Sequence, residues 1–308
     1  MKGGKPVVGR RHPDAELVSA VDGATVLVTG ASSGIGAAAA WALGRAGGET
    51  VLVARSADRL EEMRERIQEA GGSACAHPAD LSDAGCVARL VEEVDRCHGG
   101  VDILVNNAGH SIRRSIELSY GRVHDFERTI DVNYLGPVGL VLGFLPGMRA
   151  RRRGHIVNVS SLGVLFGAPR FSAYLGSKSA FETFLRCIAP EVRPDGVAIT
   201  DIYMPLVHTP MVEATRVYRL LPGLTADEAA ERICRAIARR PRRVGPISGY
   251  VGRTLSDIAP GPFDRVLGLT YRWSTDSAAA RGEAGDDVEV PALVRSTLRR
   301  LGHLRAPS

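Results

Sequence analysis

A chain of 308 residues, 44% hydrophobic and 24% charged, has the length for one large α/β domain and the composition of a globular protein, which excludes a disordered or fibrous one. The net charge of +5 gathers in arginine patches at 149–153, 239–243 and 295–305; no nucleic-acid motif or basic–aromatic interleaving accompanies them, so an anionic cofactor or substrate is the expected partner and nucleic acid is not. The five cysteines, at 75, 86, 97, 187 and 234, include no Cys-x-x-Cys pair, which argues against a disulfide framework or a metal site and for a reducing, cytoplasmic setting.

Residues 1–21 read as a polar extension without the apolar core of a signal peptide, and no apolar run approaches the ~18 residues of a membrane span. From Ala24, short apolar runs alternate with helical patterns. ATVLVT precedes a helix from Gly34, ETVLVAR precedes SADRLEEMRERIQEA, and SACAHPAD precedes DAGCVARLVEEVDRC. VDILVNNAG leads into a long helical region through Leu145, HIVNVSS into a helix from about Ala173, and VAITDIYMP ends the series. This alternation predicts right-handed βαβ units, hence a single Rossmann-like, doubly wound parallel sheet with helices on both faces over 22–245.

After Pro205 the chain loosens into a loop through Leu224, too long for a tight connection and suited to closing over a ligand. Thr225 and Glu228 then form a capping box that opens a helix to Arg239. Residues 246–308 are a Gly- and Pro-punctuated extension with a C-terminal helix at 292–305, where Leu293, Leu298, Leu301 and Leu304 share a face beside arginines. That face suits docking on the core or a second subunit, or peripheral contact with an acyl chain or anionic membrane.

The chemistry sits at strand ends. The first strand runs into Thr29-Gly30-Ala31-Ser32-Ser33-Gly34-Ile35-Gly36, a strand–glycine turn–helix context in which backbone N–H groups and the helix N-terminus receive a pyrophosphate. Arg55 closes the second strand, where an acid would take the ribose hydroxyls of NAD; an arginine suits the 2′-phosphate of NADPH. Asp80 and Leu81 follow the third strand and either face adenine or, for Asp80, cap the next helix. Tyr174 and Lys178 are one helical turn apart, so the ammonium is expected to favour phenolate and lower the tyrosine pKa, and Ser161, at the end of a strand, can reach the same substrate oxygen.

TGASSGIG, NNAG at 106–109, Asn133 in VNYLG, Ser161 and YLGSK at 174–178 together resemble the short-chain dehydrogenase/reductase family in order and spacing, over about 22–245. The resemblance implies that Ser161 orients a carbonyl, Tyr174 is the general acid, Lys178 lowers the tyrosine pKa and holds the nicotinamide ribose, and Asn133 places a water in a proton relay. It further implies that Asn107, Ala108 and Gly109 border the adenosine side and that Pro205, Val207 and Thr209 adjoin the nicotinamide. Leu206 stands where many members have glycine. NNAGHSIRRS, HDFERT, IYMPLVHTPM and DSAAARGE are similar to the bacterial fatty acyl-CoA reductases of this family, which implies an acyl-CoA substrate reduced to an aldehyde. The alternative is a ketone, aldehyde or carrier-bound β-ketoacyl substrate, and a homodimer or homotetramer is implied by the family alone. Arg113 and Arg114 either bind CoA phosphates or form a solvated basic loop, and Leu206, Met211 and their apolar neighbours either line an acyl tunnel or pack under the loop.

Overall fold

The computed structural model describes residues 15–213, 221–273, 276 and 278–281. Seven strands form one parallel sheet in the order β3-β2-β1-β4-β5-β6-β7: β1 (Thr25–Thr29), β2 (Glu49–Ala54), β3 (Ser73–Pro78), β4 (Ile103–Asn106), β5 (Gly154–Ser161), β6 (Val197–Met204) and β7 (Arg243–Val244). The inner strands are continuous runs of buried, largely β-branched residues, as a sheet covered on both faces requires. Alternate residues supply alternate cores: Val26 and Val28 point to one apolar cluster and Leu27 to the other.

On the first face lie α1 (Ala15–Val21), α2 (Gly34–Arg45), α3 (Ala57–Glu69) and, later in the chain, α9 (Ala226–Arg239). The second face carries α4 (Ala84–His98), α6 (Gly136–Ala150) and α7 (Ser172–Val192), with α5 (Val123–Ile130) before α6. Four further helices complete the described chain: α8 (Pro210–Glu213) precedes α9, and α10 (Ile247–Ile258), α11 (Pro260–Trp273) and α12 (Ala278–Arg281) follow β7.

The sheet order reverses between β1 and β4, which opens a crevice at the carboxyl ends of those strands. Ligands bind in such a crevice in open α/β sheets. Every motif singled out in the sequence at the end of β1, β2, β4, β5 or β6 therefore falls on one edge.

Four expectations change. Residues 15–21 are not an extension but a helix whose Leu17 and Val21 are buried against α9. The helical region expected directly after NNAG begins only at Val123, since residues 107–116 are non-helical loop. A helical run, Val123–Ala150, is long and apolar enough to cross a membrane by length and composition, contrary to the sequence reading. It packs against α4 instead: a Cβ on Gly139 would meet Val87 at 2.9 Å and one on Gly143 would meet Val91 at 2.6 Å, so missing side chains let the two helices approach closely. β7 escaped the sequence reading because two residues carry no periodicity. The Thr225–Glu228 capping box is present, and the helix expected at 292–305 lies outside the described residues.

Candidate active site

The turn after β1 is shaped by three glycines. Gly30 (φ 69°) and Gly34 (φ 55°) occupy the left-handed region, and a Cβ on Gly36 would lie 2.2 Å from the Gly30 carbonyl oxygen. Ser33 enters α2 in extended conformation without a side-chain cap, which leaves the first N–H groups of a twelve-residue helix open to an anion. Ser32 and Ile35 are half-buried beside it, and Thr209, arriving from β6, would touch a Cβ on Gly34 at 3.2 Å.

Thr29 ties this turn to the NNAG segment. Its hydroxyl donates to the Val105 carbonyl (3.2 Å) and accepts from the N–H groups of Asn107 and Ala108 (2.9 Å each), while Asn107 Nδ2 donates to the Thr29 carbonyl at 2.9 Å. Sequence reasoning passed over Thr29. Its signal was a hydroxyl residue closing an apolar strand just before the glycine turn, which must satisfy its hydrogen bonds internally when buried.

Arg55 is exposed at the end of β2, and its positive charge acts on both Asp80 and His110, which places the three along one rim. Asp80 is not the helix cap: Asp83 caps α4 by accepting from the N–H groups of Gly85 and Cys86. Asp80 accepts instead from the N–H (3.0 Å) and hydroxyl (2.8 Å) of Ser82, which hold its carboxyl below the ordinary range. Leu81 is a core side chain.

Asn133 lies in a π-helical stretch, Asp131–Leu135, between α5 and α6; such bulges gather at functional sites. Its buried amide bridges backbone and helix, with Oδ1 accepting from His110 N–H (2.8 Å) and Nδ2 donating to the His110 carbonyl and Ser177 Oγ (2.9 Å each). His110 thus serves as backbone anchor, and Ser177, one residue before Lys178, is a further positioning residue that the sequence reading missed.

Ser161 ends β5 and Tyr174 and Lys178 stand one turn apart on α7. The Ser161 hydroxyl is close enough to the Tyr174 phenol to favour its ionised form. Lys178 is buried, donates to the Val159 carbonyl at 3.1 Å, and would lie 3.3 Å from a Cβ on Gly109. The expected lowering of the tyrosine pKa is not what this geometry produces. Burial pushes the phenol up to about 12, with the Ser161 hydroxyl pulling back, and burial pushes the Lys178 ammonium down to about 8. Lys178 is turned to a backbone carbonyl of β5, so desolvation outweighs its attraction for the phenolate.

On the substrate side, Arg114 differs from its expected place in a solvent-facing or phosphate-binding loop. It pairs with Asp125 at 3.1 Å, donates to the Ala280 carbonyl, and its backbone N–H donates to the Arg170 carbonyl at 2.7 Å. Asp276 accepts from Ser115 N–H (3.0 Å) and pairs with Arg170, whose guanidinium lies 4.3 Å from the Tyr271 ring centroid. The segment after β4, the loop before α7 and the C-terminal helices are thereby latched together. Arg113 Nη1 is buried without a hydrogen-bond partner among the described residues. Val207 is core and pairs with Leu224, pinning both ends of the loop after β6. Pro205 and Leu206 are half-buried and Met211 is exposed; the loop's middle, 214–220, lies outside the described residues.

A family model described as short chain dehydrogenase matches residues 24–218. The chain belongs to the short-chain dehydrogenase family. A fatty acyl-CoA reductase of Acinetobacter baylyi is 44% identical over 263 residues, 85% of this chain and 89% of that one. An uncharacterized oxidoreductase of Mycobacterium tuberculosis is 48% identical over 269 residues, covering 86% and 79%. Among solved structures, a 3-oxoacyl (acyl-carrier-protein) reductase from Agrobacterium tumefaciens with NADP bound superposes with a TM-score of 0.68 at 27% identity, covering 75% of this chain and 95% of that chain. This family of oxidoreductases accounts for the order of the motifs along one sheet edge, and the glycine cradle and uncapped α2 N-terminus fit the pyrophosphate of a dinucleotide.

Proposed function

We propose that this short-chain dehydrogenase uses NADPH to reduce the thioester carbonyl of an acyl-CoA to an aldehyde, with release of CoA thiol. The observation that carries the reading is the hydroxyl pair Ser161–Tyr174 beside buried Lys178, on the same sheet edge as a glycine turn and the Arg55 rim. The similarity to fatty acyl-CoA reductases over 85% of the chain supports the thioester.

NADPH, when bound, supplies the hydride to the carbonyl carbon. The turn at Gly30, Gly34 and Gly36 and the N-terminus of α2 receive its pyrophosphate, and Arg55 its 2′-phosphate. Asn107, Ala108 and Gly109 border the adenosine side, with Asp80 and the Leu81 backbone next to the base. Pro205, Val207 and Thr209 flank the nicotinamide. Ser161 and Tyr174 bond the carbonyl oxygen, and Tyr174 delivers its proton as charge develops there. The product of that step is a hemithioacetal. Its collapse returns the hydroxyl proton to Tyr174, breaks the carbon–sulfur bond and expels the CoA thiolate, which takes up a proton from water. Lys178 keeps positive charge beside the proton donor, and Asn133 fixes the His110 backbone under it. Arg113, half-buried in the loop after β4 with an Nη1 that has no hydrogen-bond partner among the described residues, is the arginine of this loop left for a CoA phosphate.

The test follows NADPH oxidation and free thiol together on a panel of acyl-CoAs, ketones and aldehydes. Equal loss of NADPH and gain of thiol with an acyl-CoA is the expected result; turnover of ketones or β-ketoacyl compounds without thiol release overturns the thioester assignment. Tyr174→Phe is expected to bind NADPH normally and to lose reduction by roughly 100-fold or more, the range of a general acid.

A further inference from the structure

A cluster outside the crevice has no part in this chemistry. Cys75 and His77 are two apart on β3, so the extended backbone turns both to one face, and His98 reaches them from the last turn of α4. Cys75 Sγ lies 3.3 Å from His98 Nε2, the two histidine Nε2 atoms are 3.4 Å apart, and all three donor atoms fall within 4.8 Å of one another. A tetrahedral zinc with bonds of about 2.0–2.3 Å separates its ligand atoms by roughly 3.3–3.6 Å. Both nearest separations match that spacing.

The far nitrogen of each ring meets a carboxylate. His98 Nδ1 is 2.8 Å from Glu49 Oε1, and His77 Nδ1 is 3.3 Å from Glu93 Oε1. Glu49 is held in turn by the Thr25 hydroxyl at 3.3 Å. The Glu49 carboxylate on His98 Nδ1–H fixes the tautomer that leaves a lone pair on His98 Nε2, and such pairing orients and strengthens histidine metal ligands; Glu93 adds negative charge beside His77. The two Nε2 atoms face each other across 3.4 Å in a nearly closed site, His77 being 8% exposed. A cation seated between them, with the Cys75 thiolate, would have a three-ligand set suited to zinc.

We propose that Cys75, His77 and His98 bind a zinc ion that staples edge strand β3 to the end of α4. The half-buried Cys75 side leaves the fourth position to water. The role is structural, because the ligands lie on edge strand β3 and the end of α4, with β2 between β3 and the glycine turn after β1 and further from Ser161 on β5. The cysteine spacing argued against such a site; twenty-one residues separate His77 from His98 in sequence, and only the packing of α4 over β3 unites them.

The test uses the full chain, freed of any affinity tag and stripped of metal by chelation. Cobalt(II) is expected to bind one per chain with a thiolate-to-cobalt charge-transfer band, and zinc to displace it. At a hundredfold excess of zinc over its Kd the melting temperature should rise by about 4 °C. Cys75→Ser should abolish the band and His98→Gln weaken zinc binding at least tenfold, with circular dichroism checking that each folds, while Cys187→Ser retains both. The proposal is overturned by absence of a cobalt band in the wild type, by a band that survives Cys75→Ser, by zinc affinity indifferent to His98→Gln, or by a melting temperature that zinc leaves unchanged.

Discussion

Gly36→Ala is the sharpest probe of the cofactor turn. The added Cβ would lie 2.2 Å from the Gly30 oxygen, 2.5 Å from Asn107 Nδ2 and 2.7 Å from the Gly30 carbonyl carbon. Ordinary contact needs about 3.5 Å, so the turn must retreat by roughly 1 Å. None of the crowding atoms is the free end of a flexible side chain, and Asn107 Nδ2 is engaged with the Thr29 carbonyl at 2.9 Å. Overpacking of this kind costs about 1–3 kcal/mol, and loss of the Asn107 bond about 1 more. Folding stability should fall by about 2–4 kcal/mol. NADPH affinity should fall by about 10–100-fold as the N–H groups leave register. Denaturant unfolding and a fluorescence titration with NADPH measure the two. Gly176→Ala is the control: it lies in α7 with nothing within 4 Å of its Cβ, so it should gain about 0.5–1 kcal/mol and leave NADPH affinity alone. If Gly36→Ala binds NADPH within twofold of wild type and unfolds at the same midpoint, the steric account of the turn is wrong.

Arg55→Asp should weaken NADPH by roughly 10–100-fold, the worth of a charged hydrogen bond, and shift preference toward NADH; an unchanged ratio of kcat/KM for the two cofactors removes Arg55 from the site. His155, buried in β5 with Nε2 bonded to Thr200 Oγ1 at 2.9 Å, has its pKa pushed by burial from 6.5 down to about 3. Between those values the unfolded chain binds a proton that the folded chain refuses, so this stability is intact above pH 6.5 and lost as pH falls. The contribution is about 2 kcal/mol between pH 7 and 5; His155→Val should flatten the pH dependence of unfolding by that amount, and an unchanged slope counts against it. Asp276→Ala takes a carboxylate from Ser115 and Arg170, at a cost of about 2–4 kcal/mol, and should expose the C-terminal helices to protease; an unaltered cleavage pattern means the latch lies elsewhere.

The motifs that contact a ligand through backbone or local spacing were legible because their meaning is local. Glycines before α2 and a Tyr–Lys pair one turn apart need only strand and helix periodicity to be placed. What escaped depends on long-range packing. Arg114 follows Arg113 in sequence, yet one is bound to Asp125 and Ala280 while the other keeps a buried free N–H, and nothing in SIRRS distinguishes them. Thr29 and Ser177 looked like ordinary hydroxyl residues until Asn107 and Asn133 were seen bonded to them. The apolar run ending in α6 was read correctly as helix, but its partners were invisible without the glycines' neighbours on α4.

The departure at Tyr174 and Lys178 bears on mechanism. A carbonyl reductase needs its acid protonated, and a phenol pushed up to about 12 stays protonated across the working range. The group that titrates near neutrality is Lys178, at about 8. Below that value its ammonium can offset the negative charge left on Tyr174 after proton transfer; above it the charge is gone and the transfer becomes harder. The rate of reduction, as kcat/KM, should therefore be level up to about pH 8 and decline above it, with lysine rather than tyrosine setting the limb. Lys178→Arg places a cation that remains charged beyond about pH 12 at the same position. Its activity will be lower, because a guanidinium cannot repeat the Val159 contact in the same space, but its alkaline limb should move up by two units or more. A limb that stays near pH 8 in Lys178→Arg would assign the titration to another group and remove Lys178 from the proton-donating set.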